Sequence, residues 1–397
     1  MTALSLALRF MLVSAAVSIV TERLRVPYTI ALVVAGLAIG NMHLGQPVSV
    51  SPEVLLLVLI PPLLFEGGLR LPPQHLKTYW GLIGLLAVPG TVVTALALGW
   101  MTSGLFHLPL RSALLLGAIV SAIDPVSVQA LMRELGLDLR LLTVLDGEAV
   151  LNDGVAIILF MIVSSAGASG PVPIVLRFAW LLGGGMAVGA AVAAATSYAL
   201  GRTRRPQVEA LGSLIAALGA LLAAGAVGAS GVVAVVTAGV VFARYEAGNL
   251  TEAGRETVNV VWDMIAFLAN SVLFLVIGLE VPAALLLRYW PLIAALAAAG
   301  LAVRALVVYG CVAAWRSRAQ VPGAWVRLLS WGGLRGGVAI ALALGLDPAT
   351  PGHDAVVAGA FGMVIFTLLV QGLTVRPVMR RSGLLPRGST SGSTGTA

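Results

Sequence analysis

Residues 112–131 read SALLLGAIVSAIDPVSVQAL, an apolar stretch of membrane-crossing length with Asp124-Pro125 inside it. Residues 325–346 read WVRLLSWGGLRGGVAIALALGL, a second such stretch interrupted by Gly332, Gly333, Gly336 and Gly337. A bilayer crossing takes about 20 mostly apolar residues. Proline removes a backbone donor and clashes with the preceding turn, and glycines let a helix unwind. Unwound backbone at membrane depth persists only where it lines a cavity or is buried in protein. The two interruptions therefore predict a pair of broken helices around a polar site.

The rest of the chain fits a membrane setting. Only 10% of the 397 residues are charged and 59% are hydrophobic, whereas soluble domains carry roughly 25% charge. So few charges cannot cover a soluble surface of this size. A soluble enzyme, a nucleic-acid binder and a disordered scaffold are excluded. The single cysteine, Cys311, rules out an intramolecular disulfide.

Thirteen crossing stretches are expected, near 3–20, 26–42, 53–69, 78–100, 112–131, 146–168, 174–200, 207–226, 228–243, 260–280, 289–314, 325–346 and 355–378. The weakest division lies at Gly228-Ala229-Ser230-Gly231. Alternate connections and the C-terminal end hold 17 of the 24 basic residues, among them Arg70, Arg133, Arg205 and Arg380. The opposite side holds Arg111, Arg177 and Arg288, and Arg9, Arg304, Arg327 and Arg335 fall inside spans. By the positive-inside rule the N-terminus lies outside and the C-terminus in the cytoplasm, in the cell's inner membrane. The fourth to sixth stretches recur as the eleventh to thirteenth at offsets of about 213, 215 and 210 residues. The shift is an odd number of crossings, so the second copy is inverted, a pattern of transporters. The tail 384–397 (LLPRGSTSGSTGTA) is low-complexity and is expected to be disordered. Its LPRGS run is like a protease-site scar.

Ionisable groups within membrane spans are costly and usually functional. Here they are Glu66, Asp124, Glu148, Asp153, Asp263, Arg304, Arg327 and Arg335. Glu148 and Asp153 are five residues apart, which on a helix separates them by about 140°. They cannot serve one ligand shell from one face. One faces an ion and the other an internal cation. Asp153 in a water-accessible cavity is the natural carrier, because a proton and a metal ion compete for one carboxylate. Asp124 sits at the break, where freed carbonyls add the oxygen ligands that hard cations want; a helix cap there is the competing role. Glu148 needs a cationic partner, and Arg304 and Arg335 are the candidates. Arg9 and Arg327 are expected to snorkel. Asp263 lies early in its span and reads as structural. His43, His75, His107 and His353 lie in loops without metal-ligand spacing.

AIDPVSVQAL, GEAVLNDGVAIILF and WGGLRGGVAIALAL resemble the monovalent cation/proton antiporter family, nearest its sodium/proton exchangers with an Asn-Asp pair, here Asn152-Asp153. PPLLFEGGL, GASGVVAVVTAG and WDMIAFLANSVLFLVIGL resemble it too, so the likeness covers nearly the whole membrane portion in order. It implies an all-α polytopic fold of 13 helices with an inverted repeat and two crossed, broken helices. It implies a transport core of 78–168 and 289–380, a dimerisation part of 1–77 and, with a linker helix, of 174–280, and a homodimer in membrane lipid. It implies exchange of a monovalent cation (sodium, with lithium or potassium as alternatives) for protons, electroneutral, by an elevator-like movement, with no cofactor. Carried over residue by residue, Asp153 binds ion and proton, and Asp124 is its partner. Asn152 and Ile123 lie at the site. Glu66 lines the ion funnel or touches the ion through water. Glu148 pairs with Arg304 as a structural salt bridge. Arg335, Pro125, Gly336 and Gly337 support the broken helices.

Two departures from the family pattern stand out. Ile123 replaces the usual Thr before Asp-Pro, and Ala149 replaces the usual Ser after Glu148. Ile123 still offers a backbone carbonyl, but Ala149 offers no side-chain oxygen. Weakened sodium affinity or altered selectivity, extending to potassium, is expected. Competing readings are an uncoupled cation channel, a proton-coupled transporter of another solute, and an intramembrane aspartyl protease using Asp124 and Asp153. The chain has no GxGD motif for the last.

Overall fold

The computed structural model describes residues 3–24, 28–41, 54–124, 126–165, 170–200, 205–281, 283–315 and 321–385. Pro125, the tail from 386 onward, and the loop arginines Arg25, Arg202, Arg204, Arg316 and Arg318 lie outside the described residues. The described regular structure is entirely helical.

Helices α1 (Ala3–Leu24) and α2 (Tyr28–Asn41) are followed by α3 (Leu55–Leu69) and α4 (Pro73–Phe106). Each of the latter two contains one wide π-type turn, that of α4 built around Pro89. Proline has no N–H to give the regular ladder, which suits it to such a turn. The first interrupted stretch is α5 (Leu110–Ser121), an extended break, and α6 (Val126–Glu134). Next come α7 (Leu139–Ser165), α8 (Pro171–Leu200), α9 (Pro206–Ala226), α10 (Gly231–Asn249) and α11 (Glu252–Leu279). A short α12 (Ala283–Arg288) leads into α13 (Trp290–Trp315). The second interrupted stretch is α14 (Gly323–Trp331), a break, and α15 (Gly337–Leu344); α16 (His353–Arg381) follows. Each of the thirteen expected stretches is thus one helix or one pair of half-helices. Seven described helices are long and apolar enough to cross a bilayer alone. Large apolar side chains such as Trp100, Tyr198, Leu222 and Leu306 face outward, as a lipid-facing surface requires.

The uncertain division between α9 and α10 is real. Gly228 has φ +66°, a left-handed conformation that glycine adopts without penalty. Ser230 then caps α10, its Oγ accepting from Val233 N at 3.4 Å. Two helices that carry acidic groups near the site begin well before the expected position. Helix α11 starts at Glu252 rather than near 260, because Thr251 Oγ1 accepts from Gly254 N at 3.0 Å and Glu252 favours the positive N-terminal end. Asp263 is therefore well inside its helix, not early in it. Helix α7 starts at Leu139 rather than at 146, which places Asp146 inside it as well. Arg327 is exposed, and its guanidinium donates to Ser382 O at 3.0 Å, just beyond α16.

Helices α4, α5, α7, α13 and α16 pack on one another, with α14 against α13 and α16, and α15 against α5 and α16. A second set joins α11 to α2 and α9, and α10 to α3, α8 and α9. The two sets meet where α7 touches α3, α8 and α10, and where α15 touches α11. The candidate site lies on this seam.

Candidate functional site

Breaking two helices frees backbone groups that must find partners without water. The structure supplies them. Asp124 N donates to Leu334 O at 2.9 Å, joining the first break directly to the second. Ile123 N donates to Asn152 Oδ1 at 2.7 Å, and the Asn152 amide donates to Ser121 O at 3.1 Å and to Thr91 Oγ1 at 2.5 Å. In the second break, Arg335 N donates to Thr367 Oγ1 at 3.0 Å and the Arg335 guanidinium donates to Gly333 O at 3.2 Å. Asp124 Oδ1 accepts from Val126 N at 3.2 Å, so it caps the start of α6 as well as lining the site. At Gly336 an added Cβ would collide with the Asp124 carboxylate. Glycine is required there because the two breaks cross in contact.

Beside the crossing, Arg304 holds Glu148. The guanidinium donates to both carboxylate oxygens, through NH1 to Oε1 and through NH2 to Oε2 at 2.9 Å. Its Nε and NH2 also donate to Leu329 O at 3.1 and 2.9 Å. Leu329 is near the end of α14, so the pair anchors a half-helix to α7. Glu148 and Arg304 are 1% and 4% exposed. Of the two candidate partners, Arg304 is the one paired.

On the other face of α7 lies a cavity of about 110 Å³. From α7 it takes Asp146, Ala149, Val150 and Asp153. These positions follow the i, i+3, i+4, i+7 stripe of one helix face. From α3 comes Glu66, with Arg70 just past its end; from the first break come Ile123 and Asp124, and from the start of α15 comes Gly337. Asp153 Oδ1 is buried with no hydrogen-bond partner among the described residues. Asp153 is within electrostatic reach of Asp124, a like charge, and of Arg335, an opposite one. A buried carboxylate oxygen without a donor is costly. It is relieved by a proton or by a cation. Ala149 lines the same wall with a methyl group, so no side-chain oxygen is present where the family pattern has one.

A second pocket of about 550 Å³, the vestibule, lies beside this cavity and shares Arg70, Arg133 and Asp146 with it. Arg70, which caps the C-terminal end of α3, pairs with Glu66 one turn back and with Asp263 on α11, at 2.6 Å. Arg133 on α6 pairs with Asp146 at 3.0 Å.

The structure thus brings together Asp153, Asp124, Ile123, Glu66, Gly336 and Gly337, and puts Glu148 with Arg304 nearby. Asn152 is the exception among the expected ion-binding residues. It does not line the cavity, and its polar contacts run to Thr91, Ser121 and Ile123. It clamps the first break. An Asp at this position would turn a second acceptor toward Ser121 O and bury a charge. Asn152→Asp is therefore expected to lower stability by about 1–3 kcal/mol, read as a reduced melting temperature in detergent. A melting temperature equal to wild type would contradict the clamp. Sequence reasoning missed Asp146, Arg70, Arg133 and Thr91. For Asp146 a signal existed, its seven-residue spacing from Asp153. Among the described residues no cluster of three His, Cys, Asp or Glu is arranged to hold a metal ion.

The fold and site define a polytopic membrane protein whose polar centre is built at two crossed, interrupted helices. The family model described as "Sodium/hydrogen exchanger, transmembrane" matches residues 10–381, and the chain belongs to that family. The "Na(+)/H(+) antiporter ApNhaP" of Aphanothece halophytica is 35% identical over 374 residues, covering 91% of this chain and 70% of that protein. The "Na(+)/H(+) antiporter NhaH" of Halobacillus aidingensis is 32% identical over 395 residues, covering 94% and 96%. Among solved structures, the sodium proton antiporter MjNhaP1 of Methanocaldococcus jannaschii shares the fold. Its TM-score is 0.81 at 18% identity, covering 96% of this chain and 98% of that one.

Proposed function

We propose that this protein is a secondary antiporter that exchanges sodium ions for protons across the cell's inner membrane. The observation that carries the reading is the unpartnered oxygen of Asp153 in a cavity that reaches the protein surface. Family membership and the sodium/proton antiport of the relatives support it. Asp153 accepts either a proton or the cation. Both forms neutralise it, and the empty carboxylate is the form that low-dielectric surroundings penalise. Only the loaded site then crosses. Asp124 and the carbonyls of the two breaks supply further oxygen ligands.

The finer assignments rest on particular residues. A single titrating carboxylate, with the neutral Asn152 beside it, supports one-for-one electroneutral exchange. The helices of 78–168 and 289–380 act as the moving core, and those of 1–77 and 174–280 as the dimerising scaffold, in an elevator-type cycle. The cavity mouth lies at the end carrying Arg70 and Arg133, which the positive-inside rule assigns to the cytoplasm, with the C-terminus on the same side. The missing oxygen at Ala149 leaves a less complete shell, which loosens selection for sodium and admits potassium. No enzymatic step is involved.

The test is the dissipation of an imposed pH gradient in proteoliposomes, with sodium, lithium and potassium added separately. A cation-dependent signal is expected, with potassium active alongside sodium. Tight sodium dependence without potassium exchange would refute the role given to Ala149. Conduction of cations without proton coupling would refute the antiporter reading in favour of a channel.

A further inference from the structure

Asp146 is the one buried carboxylate at the funnel that the reading above leaves without work. It is seven residues before Asp153 on α7, two turns away. That spacing sets the two carboxylates about 10 Å apart along the axis and within roughly 20° of one face. Ala149 and Val150 lie between them on the same stripe, and all four line one cavity. A cation moving along this wall meets Asp146 before Asp153.

The side chain of Asp146 is 8% exposed. Its Oδ2 accepts from Arg133, whereas its Oδ1 is buried without a hydrogen-bond partner among the described residues. Asp146 lines both the inner cavity and the outer vestibule, so it stands at their junction. Glu66 on the facing helix α3 is within electrostatic reach across the gap. Arg70 holds Glu66 and Asp263 on one side of the gap, and Arg133 holds Asp146 on the other. Three carboxylates against two guanidiniums leave one negative charge, and the free oxygen of Asp146 is an acceptor that no donor among the described residues fills.

We propose that Asp146 forms a second cation site, an entry station that holds a partly hydrated monovalent cation at the junction of vestibule and cavity, one step before Asp153. The proposal rests on the antiporter reading for its role in transport. The station raises the local concentration of the cation ahead of the transport carboxylate and takes no part in the stoichiometry. Its ligands are Asp146 Oδ1 and water, with the charge of Glu66 opposite. Water remains in the shell because hard cations want more oxygens than one side chain gives. Arg133 positions Asp146 and tempers the affinity, so the cation leaves as readily as it enters.

Two measurements test this. In transport, Asp146→Asn is expected to raise the sodium KM about five-fold, the factor carried by one screened charge contact, with the maximal rate retained. Asp146→Asn also leaves Arg133 unpaired, so the Asp146→Asn/Arg133→Gln double variant decides between roles. It buries no lone charge and is the safer variant to fold. If Asp146 is a cation ligand, the double variant keeps the raised KM. If Asp146 only neutralises Arg133, the double variant returns to the wild-type KM and the proposal is overturned. In binding, sodium NMR relaxation is measured on the full chain in nanodiscs with Asp153→Asn as the background. A weak, saturable sodium signal is expected to persist there, to disappear in Asp146→Asn/Asp153→Asn, and to strengthen in Arg133→Gln/Asp153→Asn. Equal sodium signals with and without Asp146 overturn the proposal. The binding comparison does not depend on coupled exchange. A wild-type protein that fails to couple sodium to protons therefore overturns the antiporter reading and leaves the entry station to be judged by binding.

Discussion

Asp153→Asn is expected to reduce cation-dependent proton exchange to the level of protein-free vesicles while leaving the protein folded. Asn has nearly the shape of Asp but neither titrates nor offers an anionic oxygen. The variant therefore separates chemistry from packing. Among the described residues Asp153 Oδ1 has no donor, so the carboxylate contributes no hydrogen bond that Asn would forfeit there. A buried charged group without a partner costs stability. Removing it is expected to leave the melting temperature in detergent equal to wild type or higher. Sites retained for function at the expense of stability behave in this way. Residual sodium-dependent exchange in Asp153→Asn would remove the carrier role from this residue. A large drop in melting temperature would show instead that Asp153 is a packing carboxylate.

Breaking the Glu148–Arg304 pair is expected to have the largest effect on stability. Both side chains are almost fully buried, and the guanidinium serves the carboxylate and the Leu329 carbonyl together. Removing one member leaves the other as an uncompensated buried charge, a loss of about 3–5 kcal/mol. The two single variants are not equivalent. Glu148→Gln leaves Arg304 still bonded to Leu329, whereas Arg304→Gln frees both Glu148 and the end of α14. Arg304→Gln is therefore expected to be the more destabilised, with exchange lost through the fold. Glu148→Gln/Arg304→Met removes both charges and should recover much of the loss, because replacing a buried ion pair by apolar groups is often close to neutral. Thermal unfolding of the purified variants measures the order. If Glu148→Gln falls as far as Arg304→Gln, the contact to Leu329 contributes nothing.

Much of the architecture was legible from residues alone. Apolar runs of about 20 residues mark crossings because hydrocarbon tolerates little else. Asp124-Pro125 and the glycines from Gly332 to Gly337 marked the breaks, because their effect on the backbone is local and needs no partner. Even the division at Gly228 could be placed, since a positive φ and a serine cap are written in four consecutive residues. Helix starts were less accurate. The onset of α11 depends on a cap at Thr251, and hydropathy does not register a hydrogen bond.

The site was legible in part, and the boundary between the parts is physical. Asp153, Asp124, Glu66 and Glu148 could be selected because an ionisable residue in an apolar span is itself a signal. Helix periodicity separated Asp153 from Glu148, as the cavity on one face and Arg304 on the other bear out. Periodicity cannot say which distant residue meets a given face. That Arg304 rather than Arg335 takes Glu148 depends on how α13 and α14 pack on α7. That Asn152 turns away from the cavity to clamp Ser121 and Ile123 depends on where the first break passes α7. Asp146 shows the same limit. Its spacing from Asp153 was present in the sequence, but its free oxygen appears only once Arg133 has claimed the other. The sequence by itself determined which segments cross, where two of them break and which carboxylates sit at membrane depth, because these follow from local composition and periodicity. Only the tertiary structure decided which charges pair and which oxygen stays open, because that depends on contacts between helices far apart in the chain.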